Sequence, residues 1–349
     1  MLEKLADYLA DTSQALALDL VSPWARTGLL ALIVGWLIGM LAYRHYFGRE
    51  NFSLLAYLRH AFPRRVYWSR TFAVDLQVFL FGRLLEPARW AGLLLSVTAV
   101  ATAISGGLTA AFGPVRESTS GALETGLLAL LLLLAFDFGT YVTHRLSHEV
   151  PFLWAFHRVH HSAEELNPLT LERKHPVYSL LGAAIDCALV APVQGVILYF
   201  FGGKTELAVL AGTNLAFILF AYCAASLRHT HIWLSYGPVL DRIVVSPALH
   251  QIHHSKAPRH FDRNYGEVLA IWDWLLGTIY LPKEREELEF GIGDEAVQPH
   301  PNLGAALLEP FAYAWGTLRR RAPTAAPEES APQPLPEAQA EAASSLPGQ

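Results

Sequence analysis

Charge is scarce in this chain. Of 349 residues only 16% are Asp, Glu, Lys or Arg, against about a quarter in a soluble globular domain. With 52% hydrophobic residues, an ordinary water-soluble enzyme is excluded. A basic excess is also missing: 26 Lys+Arg stand against 31 Asp+Glu, a net charge of -5. No nucleic-acid partner is expected on that balance. Cysteine is nearly absent, and Cys187 and Cys223 both lie inside apolar runs, which rules out a disulfide framework or a cysteine-based zinc or iron–sulfur site. There is no internal repeat, no HExxH that would set a general base between two zinc ligands, and not the two Glu-x-x-His motifs that soluble di-iron carboxylate bundles pair.

What the chain does have is apolar runs of bilayer length. Residues 1–26 read as an amphipathic segment rather than a signal peptide, because no basic stretch precedes a short apolar core and cleavage site. Within 27–120, Thr27–Tyr43 and Trp90–Phe112 each read as a span, separated by a loop that carries Arg44, Arg49, Arg59, Arg64, Arg65, Arg70, Arg83 and Arg89. That excess marks the loop as cytoplasmic, and Ala73–Leu85 within it reads as a helix lying along the membrane surface. Residues 121–285 form the expected catalytic domain. In it Gly121–Phe138 returns through the bilayer and runs on into Tyr141–His148, and Val177–Phe201 and Leu207–Leu227 form an apolar hairpin around Gly202–Glu206. The fold class is therefore an all-α membrane protein, with about four to five transmembrane helices and a cytosolic histidine-rich helical cap. A C-terminal amphipathic segment, 286–321, and a Pro/Ala/Glu-rich tail, 322–349, too poor in large apolar residues to fold, complete the chain.

The other excess is histidine, 15 in all. Three clusters hold eight of them: His144-Arg-Leu-Ser-His148, His157-Arg-Val-His160-His161 and His250-Gln-Ile-His253-His254. Helical residues at i, i+3 and i+4 share a face, so each cluster aims its rings in one general direction. At this composition the number of HxxHH triplets expected by chance is on the order of 0.03, so two of them are no coincidence. One ion takes about four to six ligands, and eight imidazoles imply two ions. Asp137, Tyr141, His144 and His148, at i, i+4, i+7 and i+11, share one helical face, which offers the Asp137 carboxylate to the free ring N–H of a ligand histidine. His229, after the hairpin, is a further ligand candidate, with His175 and His231 weaker ones; His45, His60, His260 and His300 stand alone. Imidazole suits iron, copper, zinc and nickel alike.

These clusters, in this order around an apolar hairpin, resemble the sterol desaturase and fatty acid hydroxylase superfamily of membrane di-iron enzymes. His160-His161-Ser162, Pro247 ahead of His250-Gln-Ile-His-His-Ser255, Asn264-Tyr-Gly266 and Trp272-Asp273-Trp-Leu-Leu-Gly277-Thr278 resemble its flanking signature, over about Leu127–Leu281. The resemblance implies two iron ions on His144, His148, His157, His160, His161, His250, His253 and His254, with His229 as the extra ligand. His231 stands where many members carry Asn. It also implies O2 as co-substrate, hydroxylation or desaturation of a sterol, fatty acyl or alkyl lipid, and a separate ferredoxin or cytochrome-type electron donor. The site is expected on the cytoplasmic face, reached through a lipophilic channel formed by the hairpin and the two helices before the first cluster. The rival readings are a histidine-rich metal transporter, for which Asp186 is the mid-span candidate, and a membrane zinc hydrolase with Glu149, Glu164 or Glu165 as base.

Overall fold

A computed structural model of the chain describes residues 2–22, 28–92, 96–115, 120–220, 226–293 and 297–319. In chain order the helices are α1 (Leu2–Val21), α2 (Leu29–Phe47), α3 (Leu54–Ala61), α4 (Arg64–Tyr67), α5 (Arg70–Gly92), α6 (Val97–Phe112), α7 (Ala122–Glu149), α8 (Pro151–His161), α9 (Pro176–Phe220), α10 (Ser226–Arg228), α11 (Pro247–His253), α12 (Ile271–Leu276) and α13 (Leu303–Arg319). Among the described residues there is no β-strand beyond two isolated bridges. Three helices are long and apolar enough to cross a membrane, α2, α7 and α9 up to Phe217, and α6 is a shorter apolar helix. The protein is all-α and membrane-integral.

The hairpin expected at Gly202 lies inside α9. Gly202 has φ 71° and ψ 174°, a left-handed φ that favours glycine. The Gln194 amide donates to Glu206 Oε1 at 2.6 Å, although twelve residues of straight helix would separate them by about 18 Å. The chain therefore folds back, and both limbs pack on α7 through Leu132, Val190, Ile197 and Val209. Thr213, on the second limb, donates to the Ala129 carbonyl. The second limb is described only to Phe220, because 221–225, like the expected tail 322–349, lie outside the described residues.

Two expected boundaries move. The surface helix read over Ala73–Leu85 is the middle of the longer α5, and the single span read over Trp90–Phe112 is divided, since Trp90–Gly92 end α5 and a new helix starts at Val97. Ser96 is the physical reason: its hydroxyl accepts the Ala99 N–H at 2.9 Å and caps α6.

Local chemistry also sets the corner between the first two histidine helices. Val150 precedes a proline and is extended (φ -100°, ψ 110°), as the proline ring demands of its neighbour. Pro151 then opens α8 at a position where its missing N–H costs nothing. The corner turns α8 back so that His157 and His161 meet His144 and His148 of α7.

The far end of α8 is held by a buried knot that the sequence does not advertise. Arg173 donates to the Val159 carbonyl (2.7 Å), Ser162 Oγ (2.8 Å) and Asp75 Oδ1 (2.8 Å). The other Asp75 oxygen accepts from Asn167 (2.5 Å) and Thr170 (2.7 Å). Asp75 and Arg173 are both buried, so the pair joins α5 to the C-terminus of α8 around His160 and His161. Removing one partner of such a pair strands a buried charge, at about 3–5 kcal/mol. Arg173→Met is accordingly expected to destabilise the fold by that amount, read as a fall in thermal unfolding midpoint in detergent, whereas the exposed Arg64→Met is expected to leave it unchanged.

Candidate metal centre

Nine buried or nearly buried histidines converge into two groups. One holds His144, His148, His157, His161 and His253, the other His160, His229, His250 and His254, and within each group the ligand atoms lie within 4.8 Å of one another. Each HxxHH helix divides between them. From α8 the i, i+4 pair His157 and His161 enters the first group and His160 the second. From α11 and its C-cap, His250 and His254 enter the second group and His253 the first. The groups adjoin, with the His161 and His254 rings stacked at a 4.4 Å centroid separation.

The nitrogens face one another. His161 Nε2 lies 3.2 Å from His157 Nε2 and 3.1 Å from His253 Nε2. In the second group His229 Nε2 lies 3.2 Å from His160 Nε2 and 2.9 Å from His250 Nε2, which is itself 3.2 Å from His254 Nε2. A ring nitrogen carries either one proton or one lone pair, so no choice of tautomers makes good hydrogen bonds of both contacts at His161 or His229. A shared cation satisfies all of them: imidazoles about 2.1 Å from one ion at right angles have nitrogens roughly 3.0 Å apart. His144 Nε2 and His148 Nε2 are buried in the first group without a protein partner.

The electrostatics favour the ligand form. Burial, reinforced by neighbouring histidines, holds His157, His160, His161, His250, His253 and His254 well below the ordinary imidazole value; burial and the Arg228 guanidinium do the same for His229. Neutral imidazole is the form that binds metal.

Two ligand rings are oriented by one backbone loop. His144 Nδ1 meets the Tyr265 carbonyl at 2.7 Å and His253 Nδ1 the Arg263 carbonyl at 2.8 Å. The loop is pinned by Asp273, which accepts from the N–H groups of Tyr265 (2.8 Å) and Gly266 (2.7 Å) and from the Thr278 hydroxyl (2.6 Å). A Cβ at position 266 would come within 2.7 Å of the Leu269 carbonyl and 2.8 Å of Asp273. Asn264, at φ 58°, ties the loop to the carbonyls of Leu249 and Tyr280. Asp273, Asn264 and Tyr265 thus hold the site from behind. Their sequence signal is the Asn-Tyr-Gly and Trp-Asp runs, which carry no role until the loop closes.

Three expected roles are corrected. Asp137 accepts no histidine N–H; its oxygens take the backbone N–H groups of Val268 (3.0 Å) and Leu269 (3.1 Å) and the Trp272 indole (2.9 Å). It anchors the same loop from α7, and Tyr141 joins it through Thr278 Oγ1 at 3.1 Å. His175 lies outside both groups, with Nε2 on the Leu307 carbonyl and its ring between Phe156 and Phe311. His231 also lies outside, with Nε2 on the His60 carbonyl; it follows His229 across a turn and bend rather than along a regular element, so the two side chains leave in different directions. Among the described residues no carboxylate enters either group. Glu149 pairs with Arg145 at 2.8 Å, and Glu164 and Glu165 line a separate polar cleft with Arg65 and Arg285.

A cavity of about 330 Å³ reaches His148, His161 and His253, walled by Trp154, Phe261, Asp262 and Tyr313. None of its lining residues comes from α6 or from the α9 hairpin, so this access differs from the expected channel. An apolar cavity of about 530 Å³, lined by Ile33, Trp36, Phe62, Tyr67, Phe72 and Ile232 among others, lies between α2 and the start of α5 and extends to Thr230, beside His229.

Residues 129–278 match the fatty acid hydroxylase family. The chain is 34% identical over 182 residues to an ornithine lipid hydroxylase of Rhizobium tropici, covering 52% of this chain and 50% of that protein. It is 33% identical over 159 residues to the human alkylglycerol monooxygenase, covering 46% and 32%. It is 29% identical over 150 residues to a cholesterol 25-hydroxylase-like protein of Danio rerio, covering 42% and 53%. The chain thus spans about half or less of the length of these curated relatives. No solved structure matches it.

Asp273→Ala releases the carbonyl that orients His144 and is expected to weaken metal binding about 10–100-fold, measured by competition with a chromogenic chelator. Acid should destabilise the metal-stripped protein. The seven grouped histidines outside α7 stay neutral when folded but take up protons near pH 6.5 when unfolded, so stability present above that pH is lost as pH falls through it. Thermal midpoints between pH 8 and pH 5 check the sign, and a flat profile would contradict it.

Proposed function

We propose, for a chain whose residues 129–278 belong to the fatty acid hydroxylase family, that it is a membrane-bound oxygenase that hydroxylates a lipid. The observation that carries this reading is the convergence of nine histidine ligand atoms, without a carboxylate, on two adjoining points. His144, His148, His157, His161 and His253 would hold one iron ion, and His160, His229, His250 and His254 the other. Bound there, a di-iron centre supplies the oxidising power toward O2 and an unactivated C–H bond that side chains lack. Electrons would come from a separate donor of the ferredoxin or cytochrome type, and the arginine excess of Arg44–Arg89 favours a site on the cytoplasmic face.

The protein's own residues position the ligands and shape the cavities. The Tyr265 and Arg263 carbonyls hold the His144 and His253 tautomers, which leaves Nε2 free for metal. Trp154, Phe261 and Tyr313 give an aromatic wall to the 330 Å³ cavity that reaches the first group. The 530 Å³ apolar cavity is of a size to take part of a lipid chain. The relatives named above carry hydroxylase or monooxygenase names, which favours hydroxylation over desaturation. A zinc hydrolase lacks its base here, because Glu149, Glu164 and Glu165 all lie outside the groups. A transporter reading has only Asp186, packed against Gly139 between α7 and α9.

The test is metal content by mass spectrometry on protein purified without chelator, beside His160→Ala/His161→Ala. About two irons per chain, one for each histidine group, largely lost in the variant, together with O2-dependent oxygen insertion into membrane lipids, is the expected result. A single zinc per chain, or equal metal in both proteins, would overturn the reading.

A further inference from the structure

The outer surface of the loop that backs the metal centre is strongly apolar. Val239, Leu240, Ile243, Trp274, Leu275 and Leu276 are each 46–70% exposed. They form one surface, because the segments that carry them are paired: the Val245 N–H donates to the Val268 carbonyl and the Ala270 N–H to the Ile243 carbonyl, with a bridge between Val244 and Leu269. The nearby acids are turned inward. Asp273 holds the Tyr265–Gly266 backbone, and Asp241 takes the Ser235 hydroxyl and the Tyr236 N–H.

The height of this surface is set by α7. Trp272, next to the exposed Trp274–Leu276, donates to Asp137 at 2.9 Å and packs on Phe138, and Phe138 ends the apolar run of that membrane helix. Asp137 is seven residues before His144, so this surface sits roughly 10 Å nearer the bilayer than the first metal ligand. Exposed apolar area at the level of the last apolar turn of a spanning helix faces lipid rather than water.

We infer that Val239–Ile243 and Trp274–Leu276 form a wedge seated in the interfacial layer of the bilayer beside α7. Its partner is the lipid surface. The headgroup layer is about 5–8 Å thick on each side of the hydrocarbon, so the wedge holds the two histidine groups at or just beyond the outer edge of that layer. The inference does not depend on the reaction assigned above.

The test places a spin label at Trp274→Cys, Leu275→Cys or Leu240→Cys, one at a time, in a Cys187→Ser/Cys223→Ser background reconstituted into phosphatidylcholine/phosphatidylglycerol nanodiscs. Glu284→Cys, at an exposed charged position, is the water-facing control. Unchanged thermal midpoints establish that the labelled proteins are folded. The expected result is a ratio of O2 to nickel-chelate collision several-fold higher at 240, 274 and 275 than at 284. Nickel access equal to that at 284 would put the surface in water and overturn the inference. Shielding from both reagents, or spin–spin broadening between copies, would assign it to a protein partner and overturn it as well.

Discussion

Nine imidazoles gathered in two groups, with the ligand nitrogens of each group within 4.8 Å of one another, constitute the constraint around which this protein is organised. Left to themselves, nitrogen lone pairs at 2.9–3.2 Å repel, and protonating them in a buried cluster is worse, since each added charge faces several others. A pair of cations resolves both difficulties at once. The remainder of the cap can be understood as the structure needed to keep nine rings in place against that repulsion.

The support reaches the histidines from three directions. The corner at Val150–Pro151 brings α8 against the end of α7, the Asp75–Arg173 pair fixes the far end of α8 to α5, and the loop between Asp262 and Thr278 supplies the carbonyls behind His144 and His253. That loop is itself held by two buried carboxylates, Asp137 from the membrane helix and Asp273 from within. Both spend their hydrogen bonds on the loop, on its backbone N–H groups and on the Trp272 indole and Thr278 hydroxyl, rather than on histidine. Orientation of the ligands is therefore a property of backbone geometry, which explains why Gly266, where no Cβ fits, belongs to the same assembly.

The division of each HxxHH helix has a chemical consequence. Because α8 gives its i, i+4 pair to one group and α11 to the other, each of these two helices has ligands in both groups, and neither metal position can shift without moving both helices. Adjoining positions linked in this way suit chemistry in which two ions act on one small molecule.

Helical spacing made much of this legible in the sequence. A 3.6-residue period puts residues three and four apart on one side whatever the fold around them, so the eight clustered histidines could be picked out directly, as could apolar runs of bilayer length and the hairpin at Gly202. The choice among His175, His229 and His231 was not legible, because each stands alone in a stretch where only the path of the chain decides where a ring points. Asp137 carries the spacing of a histidine partner, yet its oxygens meet a loop that is 131 residues away in sequence. The pairing of Asp75 with Arg173, 98 residues apart, likewise has no local signal. Periodicity determined which residues share a face; the tertiary structure alone decided which faces meet, because contacts between distant segments depend on the path of the chain between them.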